Sequence, residues 1–143
     1  MRAKKGNFKE KHPKGTSPDP LILDSVKNRI RDNAITCADA TEISQRLQKP
    51  MLDVGTAIDL MEGQITKCQL GLFGFYPQSK IVSPAETIDP EIEKAIRSSL
   101  KNGRLPCYEA WEIAKSFGLP RLDVAALCEA IGIKITPCQL GAF

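Results

Sequence analysis

After residue 19 the apolar positions fall into three groups at helical spacing: Ile22, Val26 and Ile30; Ala40, Ile43 and Leu47; Val54, Ile58 and Met61. Each group predicts a short amphipathic helix. The first is capped by Asp19, with Pro20 at its first position, where the missing N–H costs nothing. The second runs from about Cys37 to Gln48. The third opens at Pro50 and carries Asp53 in its first turn, where the helix dipole favours an anion. The period then shortens to two. From Ile65 to Leu70, Thr66, Cys68 and Leu70 alternate with Ile65, Lys67 and Gln69, which predicts one short strand. Gly71 ends that strand, and Phe73 is expected to fold back onto the helices.

The whole series returns 70 positions later. Asp19 to Phe73 aligns with Asp89 to Phe143 without a gap, and 18 of the 55 positions are identical, against about three or four expected from average composition. The strongest block, Ile65-Thr66-x-Cys68-Gln69-Leu70-Gly71-x-Phe73, recurs as Ile135-Thr136-x-Cys138-Gln139-Leu140-Gly141-x-Phe143. The expected organisation is a tail over residues 1–18, repeat 1 over 19–73, a connector over 74–88 and repeat 2 over 89–143. The Lys80-Ile81-Val82 stretch is a candidate second strand in the first copy only. Because an unpaired strand is a liability, the two repeat strands are expected to pair with each other, or with their counterparts in a second chain to form a homodimer.

Charge sharpens this division. Arg2, Lys4, Lys5, Lys9, Lys11 and Lys14 against Glu10 give residues 1–18 a net of +5, whereas the whole 143-residue chain carries only +3. With Gly6, Pro13, Gly15 and Pro18 and few apolar side chains, the tail is expected to be flexible, either a solubilising leader or an arm that gathers phosphates by counterion release. No stretch is apolar enough to span a bilayer, and the basic N-terminus has no apolar core of a secretory signal, so no membrane partner and a cytoplasmic location are expected.

Three helices, with a tight turn between the second and third, then a strand, resemble the helix-turn-helix and winged-helix superfamily. The residues carrying the resemblance are Ala40-x-x-Ile43, Pro50-x-x-x-Val54 and Ala57-Ile58-x-x-Met61, repeated as Ala110-x-x-Ile113, Pro120-x-x-x-Val124 and Leu127-Cys128-x-x-Ile131. The fold class expected is therefore mainly α (α+β), with two tandem three-helix helix-turn-helix units, each followed by a short β-strand. The resemblance implies binding to double-stranded DNA, with the third helix in the major groove, and a role in transcription regulation. The residues themselves qualify that. The faces expected to point outward carry Asp53, Thr56, Asp59 and Glu62 in the first copy and Arg121, Asp123, Ala126 and Glu129 in the second. Only Thr56 and Arg121 suit base edges. Phosphate contacts are expected from Lys4, Lys5, Lys9, Lys11 and Lys14 of the tail and from Lys67 and Lys134 beside the strands. The acidic faces, with Trp111 at a boundary position, suggest as an alternative a module that binds a protein partner.

Cysteine chemistry offers a third reading. Cys37 and Cys68 are 31 residues apart, as are Cys107 and Cys138, and joining the repeats through their strands would gather four thiols as candidates for a metal or redox sensor. No C-x-x-C occurs and His12, the sole histidine, lies in the tail, so buried structural thiols and no metal or cofactor are expected, with Cys128 in the core. No phosphate-cradling glycine loop, nucleophile elbow or zinc-peptidase helix is present, and no enzymatic activity is expected.

Overall fold

A computed structural model describes residues 8–13, 15–76 and 79–143. It is mainly helical, with six α-helices and one two-stranded parallel sheet among the described residues. The first set is α1 (Pro20–Arg29), β1 (Ala34–Thr36), α2 (Cys37–Leu47), α3 (Met51–Leu60) and β2 (Gln64–Thr66). The second is α4 (Pro90–Ser98), α5 (Cys107–Phe117) and α6 (Arg121–Ile131). Helices α1, α2 and α3 begin 70 residues before α4, α5 and α6, so the sequence repeat is also a repeat of elements.

The helix ends follow from local chemistry. Asp19 accepts a hydrogen bond from the Leu21 N–H at 2.8 Å, and Asp89 accepts from Glu91 and Ile92, with proline next in each case. Thr36 caps α2 by accepting from the Asp39 N–H at 3.0 Å. Helix α2 stops at Gln48 and α5 at Gly118, both left-handed; repeat 2 puts there the residue that adopts this conformation without strain. Pro50 and Pro120 stand one residue before α3 and α6 rather than inside them.

Strand pairing differs from expectation. β1 and β2 lie within repeat 1 and pair in parallel with Ile35 opposite Ile65; in repeat 2 the corresponding Leu105 and Ile135 form a single parallel bridge. The repeats are therefore not joined strand to strand. Ala34–Thr36 is too short to show a period, and its only buried residue is Ile35. The alternation from Ile65 to Leu70 is also a strand only as far as Thr66. Beyond it the chain closes a tight loop, the Cys68 N–H donating to the Phe73 carbonyl at 3.1 Å and the Gly71 N–H to the Cys68 carbonyl at 2.9 Å. Its counterpart repeats both bonds, Cys138 to Phe143 and Gly141 to Cys138. Ile81 and Val82 both donate to the Gly71 carbonyl and form no strand.

These loops couple the repeats. The rings of Phe73 and Phe143 meet edge to face with centroids 5.6 Å apart. Gly71 lies against Leu122 of α6, and Gly141 against Leu52 of α3, so each loop crosses to the third helix of the other repeat. Leu70 and Leu140 are buried at the crossing, and one continuous apolar core runs through both repeats. Burying two leucines there stabilises the union by about 1.5–3 kcal/mol each.

The segment before residue 19, expected to be flexible throughout, packs on α3 from Phe8 to His12. Phe8–Lys11 is a short 3-10 helix, and the Phe8 ring is buried at 5% exposure. Charge counting overlooked that anchor and also the counterion demand of Asp59, which is buried rather than outward-facing.

Candidate nucleic-acid interface

The third helices offer little surface to a nucleic acid. Only Leu52 and Asp53 are exposed on α3, and only Leu122 and Asp123 on α6. Asp59 pairs with Lys11 at 3.0 Å and with His12 Nε2 at 2.9 Å, while Lys11 also donates to the Gly141 carbonyl. The carbonyl of Leu140 covers α3 at Gly55. On α6, the Ala126 carbonyl accepts from the Ala85 N–H and Glu129 pairs with Lys80 at 2.6 Å.

Both residues expected to read bases have partners inside the protein. The Thr56 hydroxyl donates to the Leu52 carbonyl of its own helix at 2.9 Å. The Arg121 guanidinium lies 3.6 Å above the centre of the Trp111 ring and donates to Gln69 Oε1, which links the repeats instead of facing solvent. Sequence spacing placed these residues on the correct helix. It could not show which groups their side chains engage.

A different set of cations is available at the strand end of repeat 2. Lys101 and Arg104 exchange backbone hydrogen bonds of 2.7 and 3.0 Å across Asn102 and Gly103. Both central residues have positive φ, 54° and 76°, as a two-residue type I′ hairpin turn requires. Leu105 then donates to the Lys134 carbonyl at 3.0 Å, which sets Lys134 beside the turn. Lys101, Arg104 and Lys134 are exposed and take part in no ion pair among the described residues. In the sequence Lys101 and Arg104 follow the first helix of repeat 2 and read either as cations complementing its C-terminal dipole or as a phosphate-contacting flank, although Lys-Asn-Gly-Arg carries the hairpin signal in its central dipeptide.

Repeat 1 builds the same turn without the same charge. Asp32 and Asn33 occupy its positive-φ positions, Ala34 stands where repeat 2 has Arg104, and Gln64 where it has Lys134. Arg31 turns back to donate to the Asn28 and Ile30 carbonyls. Lys67 is exposed but stands apart from such a cluster, its N–H bonded to the Gly74 carbonyl. Lys4, Lys5 and Lys14 lie outside the described residues, as does the side chain of Lys9.

The cysteines do gather at the junction. Cys37 and Cys107 open α2 and α5, and Cys68 and Cys138 open the two crossing loops; all four are buried. Gln139 Nε2 and the Leu140 N–H lie 3.4 Å from the sulfurs of Cys107 and Cys138, and the Gln69 N–H faces Cys37. Loss of solvation pushes the Cys37 thiol up to about 11 and the Cys107 and Cys128 thiols up to about 12, and raises Cys68 as well. Among the described residues no three of His, Cys, Asp and Glu are placed to hold a metal ion, and the thiols are free.

None of the helices among the described residues is long and apolar enough to cross a membrane. No family model, curated protein or solved structure matches the chain.

Proposed function

We propose that this chain binds nucleic acid through the cationic edge of repeat 2, and that its third helices serve the internal packing of the molecule. The observation that carries the reading is the turn at Lys101–Arg104, which with Lys134 presents three exposed cations without internal partners on a backbone fixed by four hydrogen bonds. Phosphates are held by such cations, and their contact releases counterions. The basic residues Lys4, Lys5, Lys9 and Lys14 would add to the attraction. Lys11 is excluded, since Asp59 and the Gly141 carbonyl hold it. On this reading the contact is to the backbone and is tolerant of base sequence, and a regulatory role in transcription rests on it.

The test is fluorescence anisotropy of a labelled oligonucleotide at about 50 and about 200 mM salt. The expected result is binding that weakens with salt, and a K101E/R104E/K134E variant in which it falls at least about tenfold, with a shallower salt slope. The absence of any complex at the lower salt, or unchanged binding by a folded triple variant, would overturn the proposal.

A further inference from the structure

Behind the cationic turn the surface opens into a cleft of about 430 Å³, within the roughly 300–1,000 Å³ of small-molecule sites. Leu72, Ile133, Ile135 and Phe143 give it apolar lining, and the exposed Arg104 and Lys134 line it as well. The acidic group on the wall, Glu129, is neutralised by Lys80 at 2.6 Å. The Phe143 ring is held in place by its edge-to-face contact with Phe73. An apolar, aromatic-walled hollow bordered by two cations without internal partners matches a planar apolar ring attached to anionic groups on either side.

We infer that this cleft receives one unstacked base of a single-stranded nucleic acid, with Arg104 and Lys134 on the flanking phosphates. The inference rests on the nucleic-acid reading above and narrows it from any polyanion to a strand whose bases are free. In a duplex the bases are stacked and paired, and extruding one costs unstacking energy that a single strand has largely spared. Stacking on an aromatic wall favours every base, so little sequence preference is expected. Arg104 and Lys134 are both exposed and both line the cleft with Phe143, so the backbone of an inserted nucleotide has cations within the same site as its base.

The experiment compares three fluorescein-labelled probes of about 12 units, a length within the site size of small single-strand binders: oligothymidylate, the duplex it forms with oligoadenylate, and a strand of abasic units. The expected result is that oligothymidylate binds about tenfold or more tighter than either other probe, and that Phe143→Ala abolishes this preference while retaining the salt dependence. Because Phe143 also supports the core, Ile133→Trp, which fills the cleft from its wall, is measured beside it and should give the same loss, with thermal melting by circular dichroism confirming both folds. Equal binding of all three probes, or a preference that survives both folded variants, overturns the base-binding inference and leaves the cationic-edge reading standing. Failure of every probe to bind at low salt overturns both.

Discussion

The carbonyl of Leu140 rests on Gly55 so closely that a Cβ built on Gly55 would stand 2.6 Å from the carbonyl carbon. This relationship ties the crossing loop of repeat 2 to α3 of repeat 1. It also reverses an ordinary expectation, since Gly→Ala inside a helix normally gains about 1 kcal/mol from propensity. Here Gly55→Ala is expected to lose about 1–3 kcal/mol, because the methyl group meets backbone that cannot rotate away. Urea unfolding checks the sign, and a variant as stable as the parent would show that the two repeats are not seated as described.

The anchoring of the N-terminal segment gives a second prediction. Phe8 is buried against α3, its N–H donates to Glu62 at 3.1 Å, and Lys11 and His12 both reach Asp59. Replacing Phe8 by Ala removes the apolar anchor at a cost of about 2–3 kcal/mol to the docking, while the rest of the core is untouched. The segment should then open locally. Brief trypsin treatment should cleave at Lys9 and Lys11 faster in Phe8→Ala than in the parent, with the melting temperature little changed; equal cleavage would mean that the segment is not held by its phenylalanine.

The periodic parts of this molecule were legible in the sequence. The three-helix series, the caps at Asp19 and Asp89 and the offset of 70 all rest on local rules, and each appears at or within a residue or two of the expected place. What escaped was contact between distant segments. The strand before α2 escaped because three residues carry no period. Cys68-Gln69-Leu70 reads as a strand because a tight loop that buries its cysteine and leucine also alternates. The cations of the candidate interface are visible in the sequence, but the turn that groups Lys101 with Arg104 is not, because the hairpin between them spans only two residues. Thr56 and Arg121 looked available because helical spacing gives a face and says nothing of the Leu52 carbonyl that takes the Thr56 hydroxyl or the Trp111 ring on which Arg121 lies.

Buried thiols make stability fall with alkaline pH. Cys107 and Cys128 are raised to about 12 and Cys37 to about 11 by desolvation, against a reference value of 9.0 in the unfolded chain. Between these values the unfolded state has released protons that the folded state retains, so the contribution is complete below about pH 9 and is lost as pH rises toward 11–12, by up to about 1.4 kcal/mol per pH unit for each thiol. Cys128→Ala should therefore show a shallower decline in urea midpoint from about pH 9 to about pH 11 than the parent, whatever its stability at neutral pH. The same burial predicts that iodoacetamide labels Cys37, Cys107 and Cys128 only after denaturant is added. Rapid labelling of the native protein would contradict their placement in the core.

Arg121 supplies the last prediction because it faces the sole tryptophan of the chain. Its guanidinium, 3.6 Å above the Trp111 ring centre and hydrogen-bonded to Gln69, covers a ring that otherwise borders solvent. Arg121→Ala removes both the cation–π contact and the bond across the repeats, at a cost of about 1–2 kcal/mol. Trp111 fluorescence should become more open to acrylamide quenching. Arg121→Lys keeps the charge but loses the planar stacking surface, so its quenching should fall between the parent and the alanine variant. If all three proteins quench alike, Arg121 does not cover Trp111 in solution, and its side chain would be free for the base contact that its helical position alone suggests.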